Sequence, residues 1–152
     1  MEHIRIENIE QFNHYFHQPT YHPQVSVARL QDADLSLFEP TDFCMYCVVL
    51  MEVDFGELVL HDTCMRYRGG TMFTMKPGDV VSMNLDSRVK PHGWMLAFRP
   101  EQLNGTGLGR DFYMFNFFEY KVAEALELFD SERRVIINCF NNIYTELQAP
   151  DD

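Results

Sequence analysis

The residues able to do chemistry in this chain are six histidines, four cysteines, its serines and 23 carboxylates, and their spacing suits little of it. A metal site in a β-structure needs imidazoles on alternating residues of one strand, with further ligands from neighbouring strands. The histidines are His3, His14, His17, His22, His61 and His92, and no His-x-His occurs. His14 and His17 could share a helix face, but a third ligand is not evident. Cys44-Met-Tyr-Cys47 has redox or zinc spacing, yet it lies inside the apolar run Phe43 to Met51. On a strand, residues three apart point to opposite faces, so the two sulfurs diverge. No second Cys-x-x-Cys completes a zinc site. The expectation is buried free thiols in a reduced compartment, with no metal and no cofactor.

Nucleophilic catalysis finds no better support. Ser26, Ser36, Ser82 and Ser87 sit in no nucleophile elbow. Gly105-Thr-Gly-Leu-Gly109 is glycine-dense, but it follows a short helical start at Pro100-Glu101 and reads as a surface loop. No catalytic residue is assigned, so binding is expected and not turnover. If Glu52 faces inward, alternation places Leu50, Val48, Tyr46 and Cys44 on the same face. Tyr46 offers a ring and a hydroxyl, and Glu52 can accept hydrogen bonds from a polyol or an amine. Met72, Met83 and Met95 supply adaptable packing, and Trp94 completes the candidate ligand-binding set. For each of these the alternative is ordinary core, because small barrels can be filled entirely by side chains.

The surrounding elements must hold these residues in place. A chain of 152 residues, 46% hydrophobic, can bury one good core. Loose helical spacing over residues 4 to 17 predicts a leading helix, starting near Glu7 or Asn8 and stopped by Pro19 and Pro23. Strands are predicted over Gln24–Leu30, Phe43–Met51, Glu57–His61, Met65–Arg68, Thr71–Met75, Val80–Asn84 and Trp94–Phe98. Between the fifth and sixth of these, Pro77-Gly78-Asp79 forces a sharp reversal of the kind that turns a barrel corner. An aromatic cluster from Phe112 to Tyr120 follows, then two helices, about Lys121–Phe129 and Glu132–Gln148, the second capped by Asp130 or Ser131.

The last helix carries Ile136, Phe140, Ile143 and Leu147 at steps of four and three, the spacing of a packing seam. Burying four large side chains is worth about 6–12 kcal/mol gross. Pairing two copies doubles that, against an association cost of about 4–15 kcal/mol. A homodimer through this seam is the expectation, and packing on the chain's own strands is the alternative. The organisation expected is a helical arm over 1–19, a barrel over 20–100, a helical dimerisation segment over 101–148 and the start of a linker over 149–152. A net charge of −11 repels phosphate backbones, which argues against nucleic-acid binding by these residues. No apolar run has membrane-spanning length and no signal peptide is evident, so a cytoplasmic protein with no membrane partner is expected.

Three segments together resemble the N-terminal regulatory domain of AraC-family transcription regulators. They are His22-Pro-Gln-Val-Ser-Val27, Gly70-Thr-Met-Phe-Thr-Met-Lys-Pro-Gly-Asp79, and Trp94-Met-Leu-Ala-Phe-Arg-Pro100 with Glu101-Gln-Leu103. Their order and spacing carry the resemblance. It implies a mainly β fold with α: a cupin-like, jelly-roll antiparallel β-barrel with an N-terminal helix and two C-terminal helices. It also implies an unknown small-molecule effector in a metal-free barrel, dimerisation through the helices, and DNA binding by a helix-turn-helix module absent from this chain. Where sugar-sensing members place a barrel arginine, this chain has Glu52. Their histidines after the Pro-Gly corner correspond to Val81 and Ser82, and their cavity tryptophan falls at Met95, one residue from Trp94. An arabinose-like ligand is therefore not carried over. The rival readings are a metal-independent, isomerase-like enzyme using Glu52, His61 and Tyr46, and a ligand-free dimerisation module.

Overall fold

The strand Tyr46–Met51 (β4) is apolar at nearly every position, so it needs cover on both faces. The structure, a computed structural model, describes residues 3–33, 39–60, 63–86, 88–99 and 125–148. In it β4 is the central strand of a five-stranded sheet. The order is β10 (Leu126–Glu127), β7 (Thr71–Met75), β4, β9 (Gly93–Phe98) and β2 (Val25–Arg29), all antiparallel. A second sheet runs β1 (Ile4–Arg5), β3 (Thr41–Asp42), β8 (Val80–Leu85), β5 (Gly56–Leu60) and β6 (Thr63–Arg66), with only β1 and β3 parallel.

The two sheets pack face to face. Cys47, Val49, Met51, Phe73 and Met95 of the first meet Leu58, Leu60 and Val81 of the second in one buried cluster. The fold is thus mainly β with α. Among the described residues the two sheets are separate ladders and no closed barrel is formed. The first helix is α1 (Ile9–Tyr15), and it packs against β2. Its Ile9 and Phe12, with Tyr15 and Phe16, join the same cluster, and the Phe12 ring lies 4.8 Å from Phe16 and 6.2 Å from Phe43. Asn8 caps this helix by accepting from the Gln11 amide at 2.8 Å, while Gln11 Oε1 accepts from the Glu7 amide at 2.7 Å.

The Pro77-Gly78 corner is where the chain passes from β7 in one sheet to β8 in the other. Gly78 has φ +95°, a conformation that costs glycine nothing. Asp79 Oδ2 accepts from the Lys76 amide at 2.9 Å, and Asp42 Oδ1 accepts from the amides of Gly78 (3.1 Å) and Cys44 (2.8 Å). Cys44 itself takes φ +53°, which breaks the predicted strand Phe43–Met51 and delays β4 to Tyr46.

Two C-terminal helices were expected. The described end of the first, residues 125–129, holds the short strand β10 paired to β7, because Leu126 and Glu127 extend an otherwise open sheet edge. Residues 101–124, with the aromatic cluster, and 149–152 lie outside the described residues. The second helix, α2 (Asp130–Gln148), begins two residues earlier than predicted, and Glu132 Oε1 accepts from the Phe129 amide at 2.9 Å. No described helix is long and apolar enough to cross a membrane.

Candidate functional site

Alternation along a strand buried on both faces yields two apolar faces, and this decides where the candidate residues go. Met95 and Met83 belong to the space between the sheets. Tyr46, Val48, Leu50, Met72 and Trp94 occupy the opposite, outer face of the first sheet, where α2 crosses it. The single inward-facing ligand set is therefore corrected. Tyr46, Val48 and Leu50 point away from the inter-sheet space, which Cys47, Val49 and Met51 face instead. Glu52 lies past the end of β4, in neither apolar cluster.

The outer face is built in rows. Register pairs Met72 with Leu50, Leu50 with Trp94, and Trp94 with Arg29, so these four lie side by side across β7, β4, β9 and β2. The next row is Thr74, Val48, Leu96 and Val27. The helix rests on the first row. Phe140 stacks on Trp94 with ring centroids 5.9 Å apart and planes 12° apart, and Tyr144 meets Trp94 edge-on at 5.8 Å. Arg133 anchors the helix start by donating from Nη2 to the Glu52 carbonyl at 2.6 Å.

The seam residues Ile136, Phe140, Ile143 and Leu147 pack against their own sheet, the alternative that the sequence left open beside a dimer. The coverage is loose. Phe140 is the one fully buried residue of α2, and beside it an open groove of about 330 Å³ is lined by Val48, Met72, Leu96, Ile136, Phe140 and Ile143, with Cys139 at its rim. Such a volume and lining match a small-ligand site. A smaller cavity of about 100 Å³ lies between the C-terminal end of α2 (Tyr144, Leu147, Gln148) and the segment Gln18 to Val27.

Two polar clusters sit nearby. Asn13, 1% exposed, donates to Thr20 Oγ1 at 2.9 Å, and its Oδ1 accepts from Gln18 Nε2 at 2.8 Å and from the Ser26 hydroxyl. This ties α1 to β2. His92 Nδ1 lies 2.8 Å from Glu52 Oε2, and Gln31 Nε2 lies 3.3 Å from His92 Nε2. Tyr46 stacks on Phe98 at 5.9 Å, and His61, the third member of the trio with Glu52, lies outside the described residues. The four cysteines are free, and burial drives the Cys47 thiol pKa far above its ordinary value. Among the described residues no group of three or more His, Cys, Asp or Glu side chains is placed to hold a metal.

Sequence reasoning missed Arg29 and the Glu52–His92 pair. Arg29 carried a signal, since it keeps step with Val25 and Val27 on one strand face. The histidine carried none, being one turn residue forty positions from its partner. No protein-family model matches the chain, and no curated protein matches it.

Proposed function

We propose that this chain is the effector-sensing domain of an AraC-type transcription regulator, and that its small-molecule effector sits between α2 and the outer face of the first sheet. DNA binding in this reading belongs to a separate helix-turn-helix module and not to these acidic residues. The observation that carries it is the apolar groove beneath a helix of which one side chain, Phe140, is buried. The order of elements, with a leading helix, strands in two layers and a helix crossing one layer, agrees with the family resemblance. So does the corner at Pro77-Gly78. The space between the sheets holds Phe12, Phe16, Met51 and Met95, all nearly inaccessible, which favours the helix side for a ligand.

The mechanism is a population shift. A molecule filling the groove binds one position of α2 better than another, and it moves the equilibrium by that difference in affinity. Coupling of this kind is typically about 1–3 kcal/mol, comparable with what one buried aromatic contributes to holding the helix. Pairing of two copies through α2 is part of this reading, as the resemblance implies.

The Glu52–His92 contact supports a second reading, a metal-independent acid–base enzyme. Turnover abolished by Glu52→Gln would establish it. Against it, His92 is half-exposed and does not line the groove. The test of the sensing reading is a panel of sugars, amines, aromatic acids and alkyl alcohols, followed by melting temperature and by the emission of Trp94, the chain's one tryptophan. Saturable stabilisation by a few degrees with a shift in emission is expected for an apolar member such as 1-octanol. A panel that moves neither signal defeats the reading.

A further inference from the structure

The groove beneath α2 has a floor and a roof of matching length. The floor is Val48, Met72 and Leu96, from the three adjacent strands β4, β7 and β9, two strand spacings or about 10 Å across. The roof includes Ile136 and Ile143, seven residues apart on α2, again about 10 Å. Phe140, whose ring stacks on Trp94, belongs to the same lining. Cys139 at the rim is exposed, so the groove is reached from solvent. Charged and polar groups are available to this helix and are kept out of the groove. Asp130, Glu132, Arg133, Arg134 and Glu146 all belong to α2, and none lines it. The smaller cavity by the C-terminal end of the same helix takes in Gln18, His22, Ser26 and Gln148. Among the described residues, the Cys139 thiol is the one hydrogen-bond donor in the groove's side-chain lining, and a weak one.

We infer that the effector is an uncharged molecule with a hydrocarbon body about as long as the groove, and that any polar end it has lies at the rim beside Cys139. This rests on the sensing reading above and narrows its ligand class. Buried polar groups need partners, and an ion placed on this lining gives up its water and gains none. A carboxylate, an ammonium or a polyol therefore loses more there than it gains. A hydrocarbon chain gains with each methylene it buries. The net charge of −11 adds a long-range penalty for anions, while the lining offers a cation no carboxylate.

The experiment uses the unaltered chain at neutral pH and titrates Trp94 emission with 1-butanol, 1-hexanol, 1-octanol, 1-dodecanol, octanoate and octylammonium. Each methylene is expected to tighten binding about fourfold from 1-butanol to 1-octanol. The extra methylenes of 1-dodecanol outrun the groove and should add little. Octanoate and octylammonium are expected to bind at least about tenfold more weakly than 1-octanol. Location is read from thiol chemistry. Saturating 1-octanol should slow modification of Cys139 by a thiol reagent and leave Cys64, exposed on β6 of the other sheet, unchanged. A charged probe that matches 1-octanol and protects Cys139 equally overturns the uncharged class while leaving the groove in place. Affinity indifferent to chain length, or rising undiminished to 1-dodecanol, overturns the hydrocarbon body of groove length. A change in emission without protection of Cys139 puts the site elsewhere and overturns the inference. Binding of no probe removes the sensing reading as well.

Discussion

Replacing Phe140 by alanine should release α2 from the sheet and leave the sandwich standing. The magnitude follows from the contacts. Burying a phenylalanine side chain is worth about 1.5–3 kcal/mol, and an aromatic pair adds about 0.5–1.5 kcal/mol. Phe140 is 4% exposed and stacked on Trp94, so both contributions apply. The new void opens into an existing groove, which adds little further cost. Helix docking should therefore weaken by about 2–4 kcal/mol. In amide hydrogen exchange this is roughly a thirty- to thousandfold loss of protection across residues 136–147. The emission of Trp94 should move to the red as water reaches its ring. Amides of β4 should keep most of their protection, because its inner face stays packed against the second sheet. Unchanged protection in α2 would refute the argument. So would equal losses in α2 and β4, which would make helix and sandwich one cooperative unit.

Asn13→Ala should cost about 1–3 kcal/mol in denaturant unfolding, since Gln18, Ser26 and Thr20 lose the amide that satisfies them inside the fold; a cost under half a kilocalorie would make the network ornamental. Acid should destabilise the chain through two carboxylates. Hydrogen bonds from Arg88 hold Asp86 below its usual pKa, and those from Cys64 and Asn84 do the same for Glu57. A depressed folded-state pKa means stability present above the ordinary carboxylate value, about 4, and lost as pH falls through the lower folded value. Arg88→Ala should flatten that loss in urea titrations between pH 5 and pH 2 on the order of the carboxylate range, and an unaltered slope would count against the pair.

Most of the β framework was legible because its signals are local. The strand Thr71–Met75 stands as predicted, and the Pro77-Gly78 reversal changes sheets as a corner should. The start of α1 followed from Asn8, whose side chain caps it. What could not be read was which apolar face looks where. Tyr46 to Met51 is apolar on both sides, and period-two alternation divides such a run without naming the inner half. The seam Ile136, Phe140, Ile143 and Leu147 was visible as a pattern, but a pattern does not specify whether the chain's own sheet or another copy covers it. Arg29 was within reach through its alternation with Val25 and Val27, whereas the Glu52–His92 contact depends on loop closure, which no window of sequence contains. Strand β10 was hidden for a similar reason. Leu126–Glu127 has no strand pattern of its own and exists because β7 offers a free edge.

Trp94 and Met95 are consecutive, yet one looks toward the helix and the other toward the filled interior. A single thickness of backbone is all that divides the two compartments. The indole and the methionine are thus seated by one and the same peptide unit, so a substitution that shifts that backbone bears on both compartments at once.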